Sequence, residues 1–109
     1  MNKIVLVLIS FGISISAFAT EITATTKIGE IWSGYANGQI LFKTVATHIN
    51  PKPCDSNGFY AVDATKADAD KFLSMLLTAQ SRDADVQIRI SLTECLSGYP
   101  VALRMAIKP

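Results

Sequence analysis

The sequence predicts a mainly β domain with one helix and one disulfide, and three observations carry that reading. Cys54 and Cys95, its two cysteines, flank a segment with helical spacing. Apolar residues alternate with period two in Val86, Ile88, Ile90, Leu92 and again in Val101, Leu103, Met105, Ile107, the pattern of strands with one buried face. The cysteines follow a leader-like N-terminus, which points to an oxidising compartment where a disulfide persists.

That leader is read first. Met1-Asn2-Lys3 is a short positive region, Ile4 to Ile15 is almost wholly apolar, and Ala17-Phe18-Ala19 is a small-residue cleavage site. Together they predict a secretory signal peptide over residues 1–19, cut after Ala19. The remainder, residues 20–109, is long enough for one domain and too short for two. No membrane segment is expected once the signal is removed.

Ten Lys plus Arg stand against nine Asp plus Glu, and Lys3 leaves with the signal, so the remaining chain is neutral. Its basic residues are scattered singly, whereas binding to phosphate backbones needs them clustered. No nucleic-acid partner is expected.

Along the chain, the threonine-rich stretch Glu21 to Thr26 reads as either a frayed arm or an edge strand. Ile28, Ile31 and Trp32 mark a first clear strand within Thr26–Tyr35, and Gly29 predicts a bulge or bend in it. Asn37-Gly38 predicts a hairpin with a type I′ turn. The returning strand spans Gln39 to about Ala46. Asn50-Pro51-Lys52-Pro53 then ends regular pairing, because proline has no N–H to donate.

Phe59 to Val62 reads as a short third strand. Thr65 is the expected helix cap, Asp68 and Asp70 favour the positive end of the helix dipole, and the helix is expected over 65–81. Its apolar stripe of Phe72, Leu73, Leu76 and Ala79 is broadened by Met75 and Leu77. Such stripes pack inward, and the extra width leaves Met75 or Leu77 open to a neighbouring subunit. Val86 to Thr93 and Val101 to Lys108 form a closing hairpin around Ser97-Gly98, with Cys95 at or just beyond the end of the first arm.

The element order β-β-β-α-β-β is that of a small five-stranded OB-like barrel, and a two-layer α+β sheet with one helix fits the same order. A Cys54–Cys95 bond would close a loop of about 40 residues, worth roughly 4 kcal/mol in the chain-entropy account.

The succession of Cys54, the helix Phe72-Leu73-Ser74-Met75-Leu76-Leu77-Thr78-Ala79 and the strand Asp85-Val86-Gln87-Ile88-Arg89-Ile90 resembles the receptor-binding B subunits of AB5 bacterial toxins, the subtilase-cytotoxin and pertussis-like kind. It spans residues 54 to 92. The resemblance implies a homopentamer, helices lining a central channel, and glycan sites on the barrel. It carries over no site residue.

Catalytic machinery is not expected. The single His48 precedes the proline loop with no supporting spacing, both cysteines go to the disulfide, and Asp68 and Asp70 are two apart on a helix and do not face each other. Asp55-Ser56-Asn57-Gly58 reads as a turn and lacks the ligand series of a calcium loop. No metal site and no cofactor are expected. Binding remains. In an OB-like arrangement ligands meet the second and third strands and two adjoining loops, here Ser33 to Gly38 and Cys95 to Pro100. These place Trp32, Tyr35, Asn37 and Tyr99 as candidate binding residues, suited to stacking on and hydrogen-bonding a sugar. The expected partner is a cell-surface glycan bound by an oligomeric secreted module; the alternative is a protein partner bound by a monomeric interaction or inhibitor domain.

Overall fold

A computed structural model describes residues 20–55 and 58–109. The expected signal peptide and the tip of the Asp55–Gly58 turn lie outside the described residues. Seven elements follow in order: β1 (Glu21–Thr26), β2 (Ile28–Trp32), β3 (Ile40–Thr44), β4 (Tyr60–Val62), α1 (Ala69–Arg82), β5 (Val86–Leu96) and β6 (Tyr99–Ile107).

The strands form one six-stranded sheet in the order β1-β5-β6-β4-β3-β2. β4 and β6 run parallel and the other neighbours antiparallel. Among the described residues the mainly β class with one helix and one disulfide holds, and the closed five-stranded barrel does not: the sheet is open and mixed, with β1 and β2 at its edges. The threonine-rich stretch is the reason. Ile22, Thr23, Thr25 and Thr26 are β-branched and favour extended backbone, so β1 pairs with β5 in unbroken register from Glu21↔Ser91 to Thr26↔Val86. At Lys27 the chain changes partners, and its carbonyl accepts the Val45 N–H at 3.0 Å. The two sheet edges are therefore one residue apart in the chain, which curls the sheet without laddering its edges together.

Gly29 sits where the β2–β3 register slips between Ile28↔Thr44 and Ile31↔Phe42, the bulge its sequence predicts. The tight two-residue turn falls elsewhere than expected. At Asn37-Gly38 only the glycine has positive φ; the Asn37 Oδ1 accepts the Gln39 N–H at 3.1 Å, and Gly38 N–H bonds the Tyr35 carbonyl at 2.9 Å. The side chain of Asn37 thus organises a longer turn. Ser97 and Gly98, by contrast, have φ of 52° and 83°, the two positive values that a type I′ hairpin requires. β5 consequently runs on to Leu96 and contains Cys95.

The helix starts later than Thr65. Asp63 takes both the backbone N–H and the hydroxyl of Thr65, at 2.9 and 2.6 Å, which stabilises a separate turn and holds the Asp63 carboxyl below the usual carboxylate range. Asp68 is the cap, accepting the Lys71 N–H at 3.2 Å. The other end closes on Asp83 at φ 52°, with Ala84 N–H bonded to Ala79 O and Asp83 N–H to Gln80 O, a Schellman ending.

α1 buries Phe72, Leu76 and Ala79 against Ile40, Phe42, Tyr60 and Val62 from β3–β4 and Val86, Ile88 and Ile90 from β5. Met75 is half-buried and Leu77 is 49% exposed, so the widened stripe leaves an apolar side chain in solvent. Cys54 and Cys95 are joined, with Cα atoms 5.8 Å apart. The bond ties the loop before β4 to the end of β5.

Tyr60 completes the core. Burial pushes its hydroxyl above the ordinary tyrosine value, partly offset by hydrogen bonds with the Ile49 N–H, at 2.7 Å, and the Thr44 side chain. A group whose folded pKa is raised stabilises the fold below its unfolded pKa and loses that contribution as pH rises through the folded value. Denaturant midpoints should thus hold up to about pH 10 and fall above it. A midpoint flat across that range would overturn this account of Tyr60.

Candidate functional site

β3 positions the site by alternation: Ile40 and Phe42 face the core, and Leu41 and Lys43 face the other way. Trp32 is paired with Leu41 across the β2–β3 ladder, so the two share that outer face. Together with Glu30, Tyr35, Phe59 and Tyr99 they line a cleft of about 270 Å³.

Each wall has a local cause. Trp32 ends β2 beyond the bulge, and its indole N–H donates to the Glu30 carboxylate two residues back, which fixes the ring plane. Tyr35 precedes the turn organised by Asn37. Phe59 leads into β4 after the disulfide loop, where Asn50 clamps Cys54 by accepting its N–H and donating to its carbonyl, both at 2.8 Å. Tyr99 opens β6 immediately after the Ser97-Gly98 turn, and Ser97 Oγ donates to Gln39 Oε1 at 3.3 Å, linking that hairpin to the start of β3.

The rings of Phe59 and Tyr99 meet edge to face, 6.3 Å between centroids. The Lys43 ammonium lies 4.8 Å over the Phe59 ring. Trp32 is 52% exposed and Tyr35 is 39% exposed, so neither is a core anchor. An exposed aromatic face offers stacking to a flat C–H surface, and the cleft adds one carboxylate and one ammonium for polar groups.

Three of the four candidates from sequence, Trp32, Tyr35 and Tyr99, come together here. Asn37 does not line the cleft; its oxygen is taken by the Gln39 N–H. Glu30, Leu41, Lys43 and Phe59 were not singled out by sequence. For Leu41 and Lys43 the alternation of β3 was a usable signal, since they occupy the side opposite Ile40 and Phe42. Phe59 had none, because its place depends on a long-range contact with Tyr99.

His48 lies outside the cleft, its ring 4.5 Å from that of Tyr60. Among the described residues, no three His, Cys, Asp or Glu side chains gather as metal ligands, and no helix is long and apolar enough to cross a membrane. Comparison with family models, curated proteins and solved structures returns no match.

Proposed function

We propose that this chain is a secreted, non-catalytic binding module whose aromatic cleft holds a sugar. The observation that carries the reading is the convergence of Trp32, Tyr35, Phe59 and Tyr99 with Glu30 and Lys43 around one concavity. A pyranose ring presents C–H bonds on its face and hydroxyls around its rim, and this wall composition matches both. The leader-like residues 1–19 and the Cys54–Cys95 bond support export.

Taken as one bent strand, β1 and β2 contact β5 with one half and β3 with the other, which supports a partly open OB-like arrangement. In that arrangement the cleft draws on the first two strands, through Glu30 and Trp32 on β2 and Leu41 and Lys43 on β3, with Tyr35 from the first hairpin loop and Tyr99 beside the last, which overlaps the ligand surface such folds use. The resemblance to AB5 toxin B subunits adds the expectation of a ring assembly, for which the exposed Leu77 on α1 is a candidate contact. Native mass spectrometry tests it, and a strict monomer would remove the toxin-like reading while leaving the cleft.

Trp32 is the chain's single tryptophan, so its fluorescence reports on the cleft directly. Titration with hits from a glycan array should quench or shift that emission, and Trp32→Ala should weaken binding by about tenfold or more. Binding that survives Trp32→Ala would place the ligand elsewhere. The second reading, a monomeric protein-interaction domain, draws on the same exposure, because Trp and Tyr dominate protein interfaces. A pull-down from envelope extract that recovers one protein partner, lost in Trp32→Ala, with an empty glycan array would favour it.

A further inference from the structure

Glu30 and Lys43 carry opposite charges on the walls of one aromatic cleft, yet among the described residues neither forms an ion pair. Glu30 Oε2 takes the Trp32 indole N–H, which leaves the carboxylate's charge and its second oxygen uncommitted. The Lys43 ammonium rests over the Phe59 ring, a contact that orients the cation without neutralising it. A neutral sugar would bring hydroxyls to both groups and a counter-charge to neither.

We propose that the cleft takes a zwitterionic group, an alkylammonium joined to a phosphate ester, carried as a substituent on the bound sugar; this rests on the reading of the cleft as a glycan site. The alkylammonium meets the faces of Trp32, Tyr35 and Tyr99 beside Glu30, since aromatic quadrupoles attract cations and weakly hydrated alkylammonium most of all. The phosphate meets Lys43, whose ammonium acts as a point charge for it. Glu30 and Lys43 form no ion pair with each other, so both are available to a ligand that carries one charge of each sign. A phosphoalkylammonium carries one of each. The net charge of the cleft is zero, as is that of a phosphodiester-linked zwitterion.

Isothermal titration of the full mature chain with phosphocholine, choline, inorganic phosphate and unsubstituted methyl glycosides tests this. Phosphocholine should bind about fivefold tighter than either half alone. Glu30→Gln and Lys43→Met should each weaken phosphocholine about fivefold. Glu30→Gln should not weaken inorganic phosphate, and Lys43→Met should not weaken choline, because each removes a charge of the same sign as that ligand. Both variants are chosen to keep the fold: an amide still accepts the indole N–H, and the methionine stem still covers Phe59. Phosphocholine binding that is no tighter than that of methyl glycosides, or indifferent to both substitutions, overturns the proposal. Should methyl glycosides bind in a Trp32-dependent way while phosphocholine does not, the zwitterion falls and the glycan site stands; should neither bind, both fall.

Discussion

Replacing both cysteines, Cys54→Ala with Cys95→Ala, is expected to lower unfolding free energy by about 4 kcal/mol, read as a drop in the urea midpoint. The bridged residues are 41 apart in sequence, and opening that loop restores conformational freedom chiefly to the unfolded chain. Small domains have only about 5–15 kcal/mol in total, so the double variant should be partly unfolded at modest denaturant. The site should suffer beyond stability. Cys54 anchors the loop that delivers Phe59, and Cys95 lies on the arm whose turn delivers Tyr99, with Asp55 packed 3.5 Å from where a side chain at Gly98 would begin. The edge contact between Phe59 and Tyr99 should therefore weaken even where the sheet stays folded, visible as lost ring-to-ring NOEs. A variant with an unchanged midpoint and intact NOEs would show that the covalent link supports neither the fold nor the cleft.

Much of this architecture is legible in short-range signals. Alternation in Val86–Leu92 and Val101–Ile107 marks β5 and β6, helical spacing from Phe72 to Ala79 marks α1, and the two cysteines mark the bridge. What local patterns miss is decided by competition between side chains. Thr65 and Asp68 both have capping chemistry, and Asp68 wins because Asp63 draws Thr65 into its own turn. Asn37-Gly38 and Ser97-Gly98 both have hairpin chemistry, and the Asn37 carboxamide spends itself on Gln39, leaving the tight turn to Ser97. β1 carries no apolar periodicity because its ladder with β5 rests on β-branched polar residues, so the sequence leaves Glu21 to Thr26 open between a frayed arm and an edge strand; the edge strand is the outcome, and counting the stretch as an arm turns a six-stranded sheet into a five-stranded barrel. The cleft follows the same division: Trp32, Tyr35 and Tyr99 are announced by turns nearby, and Phe59 is placed by contacts that no local pattern encodes.

Phe42→Ala is expected to cost about 3–5 kcal/mol, the range for deleting a fully buried aromatic. Phe42 has no exposed surface, and its ring packs on Tyr60 and Phe72 at centroid distances of 5.6 and 6.1 Å. It therefore joins β3, β4 and α1 in one contact set, and the space it vacates is bounded by a sheet and a helix that cannot both collapse into it. Phe42→Leu keeps most of the volume and should cost about 1.5 kcal/mol or less. Trp32→Ala, one cross-strand neighbour away on the opposite face, removes a larger ring that is half in water, and should change the unfolding free energy by about 0.5 kcal/mol while weakening ligand binding about tenfold or more. The two faces of the β2–β3 pair thus divide the work, stability on the Phe42 side and recognition on the Trp32 side. Equal losses of stability from Phe42→Ala and Trp32→Ala in parallel urea titrations would contradict that division, because they would require Trp32 to be as deeply packed as Phe42.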